Sequence, residues 1–400
     1  MTRSDVARYA GVSTAVVSFV VNGGPKTVSE ATKQRVLDAV EHLGYRPNRT
    51  ARALSMGSTK TLGLVVGDTT NPFFAEYTRE LQQAAADLGY ALLMTAGGPG
   101  PDAPLRSMLD LCDRQIDGLI VARATAMGRL EELRRRSANQ PVVVIDAAAA
   151  VPGYATVGPD AAEGMAMAVG HLLSVHHHQS VALVIGDDVE PDTDGREAGW
   201  RQAHTDHGRQ PGEVSRTAFT RDGGYRAGLD LLRGDDRPTA VVASSDLQAI
   251  GLLTAAGQLN LRVPEDVAVV SFDGTEETRF TAPPLTTVRQ PVTTMAAAAI
   301  DLVVHPRPAA HETFPMELIV RRSCGCEPEV RLMAAPGVSL HTMTESPDDR
   351  LIEGREQLLP EELAAGSDDP EAQARAILEE SEERTLHPEK TRRESTQTPD

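Results

Sequence analysis

From Leu62 onward, short uninterrupted apolar runs alternate with stretches of helical periodicity, and this alternation leaves few folds open to the chain. One series reads Leu62–Val66, Ala91–Thr95, Gly118–Val121 and Val142–Ile145. A second reads Val181–Ile185, Ala240–Ala243 and Val267–Phe272. A strand with one face in water alternates apolar with polar residues, whereas runs apolar at every position belong to parallel sheets covered by helices on both faces. Two such series predict two doubly wound α/β lobes with a cleft between them. Ligands of such sheets collect at the carboxyl ends of the strands. With 400 residues and 40% apolar content, the chain can build two or three real cores.

The first sixty residues follow another pattern. Ala7 and Ala10 are small enough for a close helix crossing, Gly11 supplies a tight turn, and Ser13 is placed to cap a second helix. Val17, Val20 and Val21 recur at helical spacing and face inward, leaving Thr14, Ala15, Ser18 and Phe19 outside. Thr2 is placed to cap the first helix, which sets Arg3 beside it. A third helix is predicted from about Glu30 to Leu43, with Val36, Leu37, Val40 and Leu43 on one face and Gly44 as its stop signal. Three short helices of this kind form a helix-turn-helix, whose second helix presents its N-terminal outer face to base edges in the major groove. The competing reading of residues 10–22 is an ordinary serine-capped helical hairpin.

The net charge of −18 at first argues against DNA binding. Divided along the chain, it does not. Residues 1–60 carry nine Lys/Arg against four Asp/Glu, and residues after 330 carry eight against seventeen. Phosphate affinity follows the local field, so a basic head on an acidic body is compatible with DNA and disfavours DNA contact elsewhere.

Asp5-Val6-Ala7, Ala10-Gly11-Val12-Ser13, Val20-Val21-Asn22, Val28-Ser29 and Tyr45-Arg46-Pro47-Asn48 stand in an order and spacing that resembles the lac repressor (LacI) family of bacterial transcription regulators. The resemblance runs to about residue 326. It implies a helix-turn-helix domain at 1–46, a hinge helix and linker at 47–60, and an effector-binding and dimerisation core at 61–328. In that core, lobe one takes about 61–157 and 289–316, and lobe two about 158–288 and 317–328. It also implies a homodimer on a pseudo-palindromic double-stranded DNA operator, controlled by a small molecule, most commonly a sugar.

Site residues follow from the same resemblance, read beside the chemistry of each side chain. Arg3, Ser13, Thr14, Ala15, Ser18, Phe19 and Asn22 are expected to face DNA, with Phe19 replacing the guanine-reading Arg of the lac repressor by a ring suited to a thymine methyl group. In the hinge, Asn48, Arg49 and Ala51 flank Leu54, which matches the leucine that wedges into the minor groove. A helix this short is unstable alone in water, so it should form only when paired on DNA. In the cleft, Asp68, Asn71, Phe73 and Phe74 follow the first strand, with either ring able to wall the ligand or simply pack its helix. Arg123 and Asp146 close the third and fourth strands. Arg196, in Arg-Glu-Ala-Gly-Trp, matches an arginine that hydrogen-bonds the effector, and Trp200 is expected to pack. Asp273 is expected to accept ligand hydroxyl protons. Ser245 stands where the family commonly has Asn, and Asp246 is a candidate either for ligand contact or for capping a helix from Leu247.

Other chemistry is not expected. There is no G-x-S-x-G elbow, no phosphate loop and no suggestive carboxylate pair, so neither an enzyme nor a cofactor is predicted. Three cysteines fit a reducing compartment, and Cys112 reads as a buried helix residue. Cys324 and Cys326 form a C-x-C pair too narrow for a zinc site without further ligands, and His176, His177 and His178 read as a turn after His171-Leu172-Leu173; no metal is expected at either. Residues 329–400 are rich in Pro, Ser, Asp and Glu and are predicted to be a disordered acidic tail, with no leucine heptad to make tetramers. No signal-peptide or membrane-spanning run is visible, so a cytoplasmic, nucleoid-associated protein is expected. A solute-binding protein with the same two-lobed core is the alternative; it calls for a signal peptide and no basic head.

Overall fold

In the computed structural model, the described residues are 1–22, 28–46, 57–98, 100, 102–126, 128–137, 140–147, 149–187, 195–307 and 309–327. The expected hinge residues Asn48, Arg49, Ala51 and Leu54, and the acidic tail, lie outside them.

Helix α1 (Arg3–Ala10) begins at a reciprocal cap: Thr2 Oγ1 accepts from Asp5 N–H at 3.3 Å, and the Asp5 carboxylate accepts from Thr2 N–H at 2.8 Å. It ends at Gly11, whose φ of +65° lies in the left-handed region that a side chain disfavours. Ser13 Oγ then accepts from Val16 N–H at 3.3 Å and starts α2 (Thr14–Asn22). Ser29 caps α3 (Glu30–His42) through Thr32 N–H. Val6, Ala7, Ala10, Val17, Val36 and Ala39 form the core of this three-helix unit, with Val20, Val21, Val40 and Leu43 packed around it. Leu37 departs from expectation. It is exposed, because its neighbour Val36 holds the inward position and the next residue lies about 100° round the helix.

Beyond Gly57 the chain forms two six-stranded sheets. The first contains β1 (Thr61–Val66), β2 (Ala91–Ala96), β3 (Gly118–Ala122), β4 (Val142–Ile145), β5 (Ala155–Pro159) and β11 (His311–Phe314), in the order β11-β5-β4-β3-β1-β2. The second contains β6 (Ala182–Gly186), β7 (Val214–Thr217), β8 (Ala240–Ala243), β9 (Ala268–Asp273), β10 (Thr286–Arg289) and β12 (Glu317–Ile319), in the order β12-β10-β9-β8-β6-β7. All described pairings are parallel except β10 with β12. The central strands β1, β3, β6, β8 and β9 are buried almost throughout, which is why their sequences show no alternation.

Helices cover both faces of each sheet. In lobe one, α4 (Pro72–Asp87) and α12 (Val292–Val304) pack on one face, and α5 (Ala103–Asp113), α6 (Arg123–Ala126) and α7 (Leu130–Arg136) on the other. In lobe two, α8 (Ala161–Ser174) and α9 (Arg196–Asp206) face α10 (Arg221–Leu232) and α11 (Asp246–Gln258) across the sheet. The chain passes between the lobes three times: from β5 to α8, from β10 to α12, and from β11 to β12. Among the described residues, no helix is long and apolar enough to cross a membrane.

Candidate effector site and DNA-facing helix

Parallel strands run together, so their carboxyl ends gather the loops that can meet a ligand. In lobe two, β9 ends at Asp273, a non-glycine residue with φ of +107°; backbone strain of this kind persists where surrounding structure enforces it. Arg196 opens α9, and its Nη2 lies 4.0 Å from Asp273 Oδ1. The guanidinium carbon sits 4.6 Å from the Phe272 ring centroid and 5.8 Å from that of Phe219, so two aromatic faces fix the cation. Gln290 donates from Nε2 to Asp273 Oδ1 at 2.9 Å, while its buried Oε1 has no partner among the described residues. Burial pushes the Asp273 carboxyl well above the usual carboxylate range; Asp246 and Asp146 add to this, and Arg196 opposes it. The buried carboxyl therefore sits among a guanidinium, an amide and other carboxylates.

The helix carrying Arg196 is itself held firmly. Glu197 is buried and takes Arg201 Nη2 at 2.6 Å and Arg216 Nη2 at 2.5 Å, tying α9 to β7. Those arginine hydrogen bonds overcome burial and lower its carboxyl pKa. Trp200 packs as expected: it is fully buried, and its indole N–H donates to Val181 O at 2.8 Å.

Two lobe-two expectations need correction. Asp246 does not cap the helix. Ser245 does, accepting from Gln248 N–H at 3.3 Å, and the helix starts one residue earlier than Leu247. The Asp246 carboxylate instead accepts from Ser271 Oγ, Thr275 N and Oγ1, and Thr287 Oγ1 at 2.6–3.1 Å. Both side chains are buried and engaged by protein, which sets Asp246 behind Asp273 as an anchor for its turn.

In lobe one, Asp146 follows β4 with φ of +56° and is half-buried. Its charge adds to burial in raising the Tyr77 hydroxyl pKa, and Tyr77 Oη and Thr125 Oγ1 are buried without a partner among the described residues. Asp68 is exposed and binds Thr70 N–H and Oγ1. Asn71 caps α4 by accepting from Phe73 N–H at 3.0 Å. Phe73 is buried in the core against Tyr77, so its ring packs the helix and does not wall the cleft. Phe74 instead lines a cavity of about 220 Å³ beside Thr78 and Met94. Arg123 opens α6; its side chain lies outside the described part. The lobes meet directly where Glu276 N–H donates to Glu76 Oε1 at 2.9 Å.

Gln290 and Tyr77 were missed as site residues. The Arg289-Gln290-Pro291 crossover was the available signal for Gln290, since crossings between lobes border the cleft.

On the helix-turn-helix, Arg3, Ser13, Thr14 and Ala15 are exposed, and Ser18 and Phe19 are partly buried on the same helix. Asn22 ends α2, and its side chain lies outside the described part.

A further grouping bears on the C-x-C pair. Cys324, Cys326, His171 and His176 bring one ligand atom each to within 4.8 Å of all the others. The C-x-C pair lacks partners only in its own neighbourhood. The fold supplies two from 150 residues away. Cys112, expected buried, is half-buried on α5.

The model of bacterial regulatory proteins of the lacI family matches residues 2–48, and that of a periplasmic binding protein-like domain matches residues 169–324. The HTH-type transcriptional repressor PurR of Photobacterium profundum is 31% identical over 331 residues, covering 80% of this chain and 98% of the relative. The chain belongs to the LacI family. Catabolite control protein A of Priestia megaterium is 32% identical, covering 76% of this chain and 91% of the relative. Among solved structures, the lac repressor dimer bound to operator and an anti-inducer superposes with a TM-score of 0.72 at 25% identity, covering 81% of this chain and 99% of that one. The CelR–cellobiose complex gives 0.60 at 28%, with the same coverage. This LacI-family chain is a ligand-responsive, DNA-binding transcription regulator, and PurR and the lac repressor among its relatives are repressors.

Proposed function

We propose that this LacI-family chain is a cytoplasmic, non-enzymatic repressor that binds a pseudo-palindromic operator as a homodimer and is controlled by a small polyhydroxylated molecule, such as a sugar, in the interlobe cleft. The observation that carries the ligand reading is the meeting of Arg196, Asp273 and Gln290 beside Phe272. A fixed cation, a carboxylate and an amide with a spare acceptor suit several hydroxyl groups, and the aromatic faces suit the apolar side of a sugar ring. The similarity to a cellobiose-bound regulator agrees with this class.

One helix-turn-helix offers few base contacts, so specificity calls for two copies on a dyad with half-sites about one helical turn apart. Exposed Leu93 and Met94 on the edge strand β2 and Phe280 in lobe two give apolar surface for a second copy. Thr14 and Ala15 read base edges, helped by Ser18 and Phe19, while Arg3 and Ser13 lie toward the backbone. Asn22, Asn48, Arg49 and Ala51 complete the DNA contact, and Leu54 wedges the minor groove. Asp68, Phe74, Arg123 and Asp146 complete the cleft.

The test is a thermal-shift screen of the full chain against monosaccharides, disaccharides, nucleosides and nucleobases, followed by calorimetry. A sugar that binds the wild type and binds Arg196→Ala at least about tenfold more weakly, a loss of about 1.4 kcal/mol, supports the assignment. Binding of a nucleobase alone, or sugar affinity unchanged in Arg196→Ala, contradicts it.

A further inference from the structure

The four side chains His171, His176, Cys324 and Cys326 lie in lobe two, remote in sequence from the effector-binding segments. His171 stands on the last turn of α8, and His176 follows in the loop to β6. Cys324 ends a 3-10 turn after β12, and Cys326 follows Gly325. His171 Nε2 lies 3.2 Å from His176 Nε2 and 3.5 Å from each sulfur, and His176 Nε2 lies 3.3 Å from Cys326 Sγ.

Hydrogen bonding alone does not account for this grouping. A neutral imidazole nitrogen carries either one hydrogen or one lone pair, yet His171 Nε2 faces three heteroatoms at once. A central cation satisfies all four. With Zn–S of about 2.3 Å and Zn–N of about 2.0–2.1 Å, the edges of a regular tetrahedron come to about 3.3 Å between nitrogens and about 3.5 Å between nitrogen and sulfur. Four of the six separations, at 3.2, 3.3, 3.5 and 3.5 Å, lie close to those edges, and all six are within 4.8 Å.

The surrounding backbone is shaped to the same end. Gly325 has φ of +104°, which strains any side chain, and a Cβ there would crowd the His176 ring at 3.1 Å. His177 at φ of +58° reverses the chain and returns His176 toward α8. Thr286 Oγ1 lies 3.1 Å from Cys324 Sγ, where a hydroxyl donor can support a thiolate. Both cysteines are free, Cys324 is buried, and the other three groups are half-buried.

We propose that His171, His176, Cys324 and Cys326 form a closed tetrahedral Cys2His2 site for a structural zinc ion. Two thiolates and two imidazoles suit zinc, and four protein ligands leave no open position for substrate. Loading the site releases the thiol protons to solvent and joins the end of α8 to the last segment that the chain returns to lobe two.

The experiment uses the full chain, expressed with added zinc and analysed for metal by mass spectrometry, then stripped and titrated with Co(II). The expected result is about one zinc per chain, and Co(II) bands of tetrahedral intensity with thiolate charge transfer. Cys326→Ser and His176→Gln should reduce zinc content at least about tenfold, while His305→Ala and Cys112→Ser should retain it. Zinc below about a tenth of an atom per chain together with octahedral Co(II) bands overturns the proposal. Equal metal loss in the control variants does so too. Should a ligand variant misfold, the Co(II) spectrum of the stripped wild type still decides.

Discussion

At the residue scale, neighbouring side chains of similar chemistry take different jobs because of where the backbone places them. Asp246 opens a helix of lobe two and Asp273 ends a strand, and both are buried, yet Asp246 is surrounded by protein donors while Asp273 faces Arg196 and Gln290. Burial raises the Asp246 carboxyl to about 6, against 3.8 for a free group. The folded protein thus holds this proton more tightly than the unfolded chain. Its stabilising contribution is full below pH 3.8 and is lost as pH rises to about 6. Denaturation followed through Trp200, the chain's only tryptophan, should show wild-type stability falling relative to Asp246→Asn across that window. Parallel pH profiles would remove Asp246 as the cause. Arg196 and Asp273 were legible because each sits in a short local motif. Gln290 and Tyr77 were not, because their partners come from other segments. The Ser245–Asp246 reading failed by one residue: both can cap a helix, and the serine took the position.

At the scale of elements, most strands covered on both faces were plain in the sequence, since the buried positions of β1, β3 and β8 hold only apolar residues and glycine, though the buried β5 and β10 went unread. Edge strands β7, β11 and β12 were missed too, because short mixed runs such as Val214–Thr217 resemble loops. Helix packing shows why the motif around Arg196 contains glycine. A Cβ on Gly199 would collide with the Ala162 carbonyl, so α8 and α9 approach there backbone to backbone. Gly199→Ala should cost about 1–3 kcal/mol in urea unfolding and weaken effector binding by tilting Arg196; an unchanged midpoint would refute the close approach. The hinge lies outside the described residues, and its role rests on sequence. Leu54→Ala should weaken operator binding at least about tenfold and leave effector affinity within about twofold, as measured by DNA-binding anisotropy and calorimetry. Equal operator affinity would end the wedge argument.

For the whole molecule, three crossings between lobes and the Glu76–Glu276 contact join the two sides of the cleft. A ligand shifts an equilibrium between arrangements only by its preference for one of them. Two lobes were visible as two series of apolar runs, but their pairing through β10, β11 and β12 came only with the family resemblance. Both halves of the Cys–His cluster were visible and were read apart, since residues 150 positions apart give no local pattern that joins them. The central claim is that the cleft around Arg196 controls reading by Thr14 and Ala15. Its most direct measurement is operator affinity of the full chain, on a DNA site selected from a random pool, with and without a saturating cleft ligand. The prediction is a change of at least about tenfold, or 1.4 kcal/mol of coupling, in the wild type and less than about twofold in Arg196→Ala. A wild-type affinity indifferent to the ligand, or an Arg196→Ala response as large as the wild type's, would contradict it.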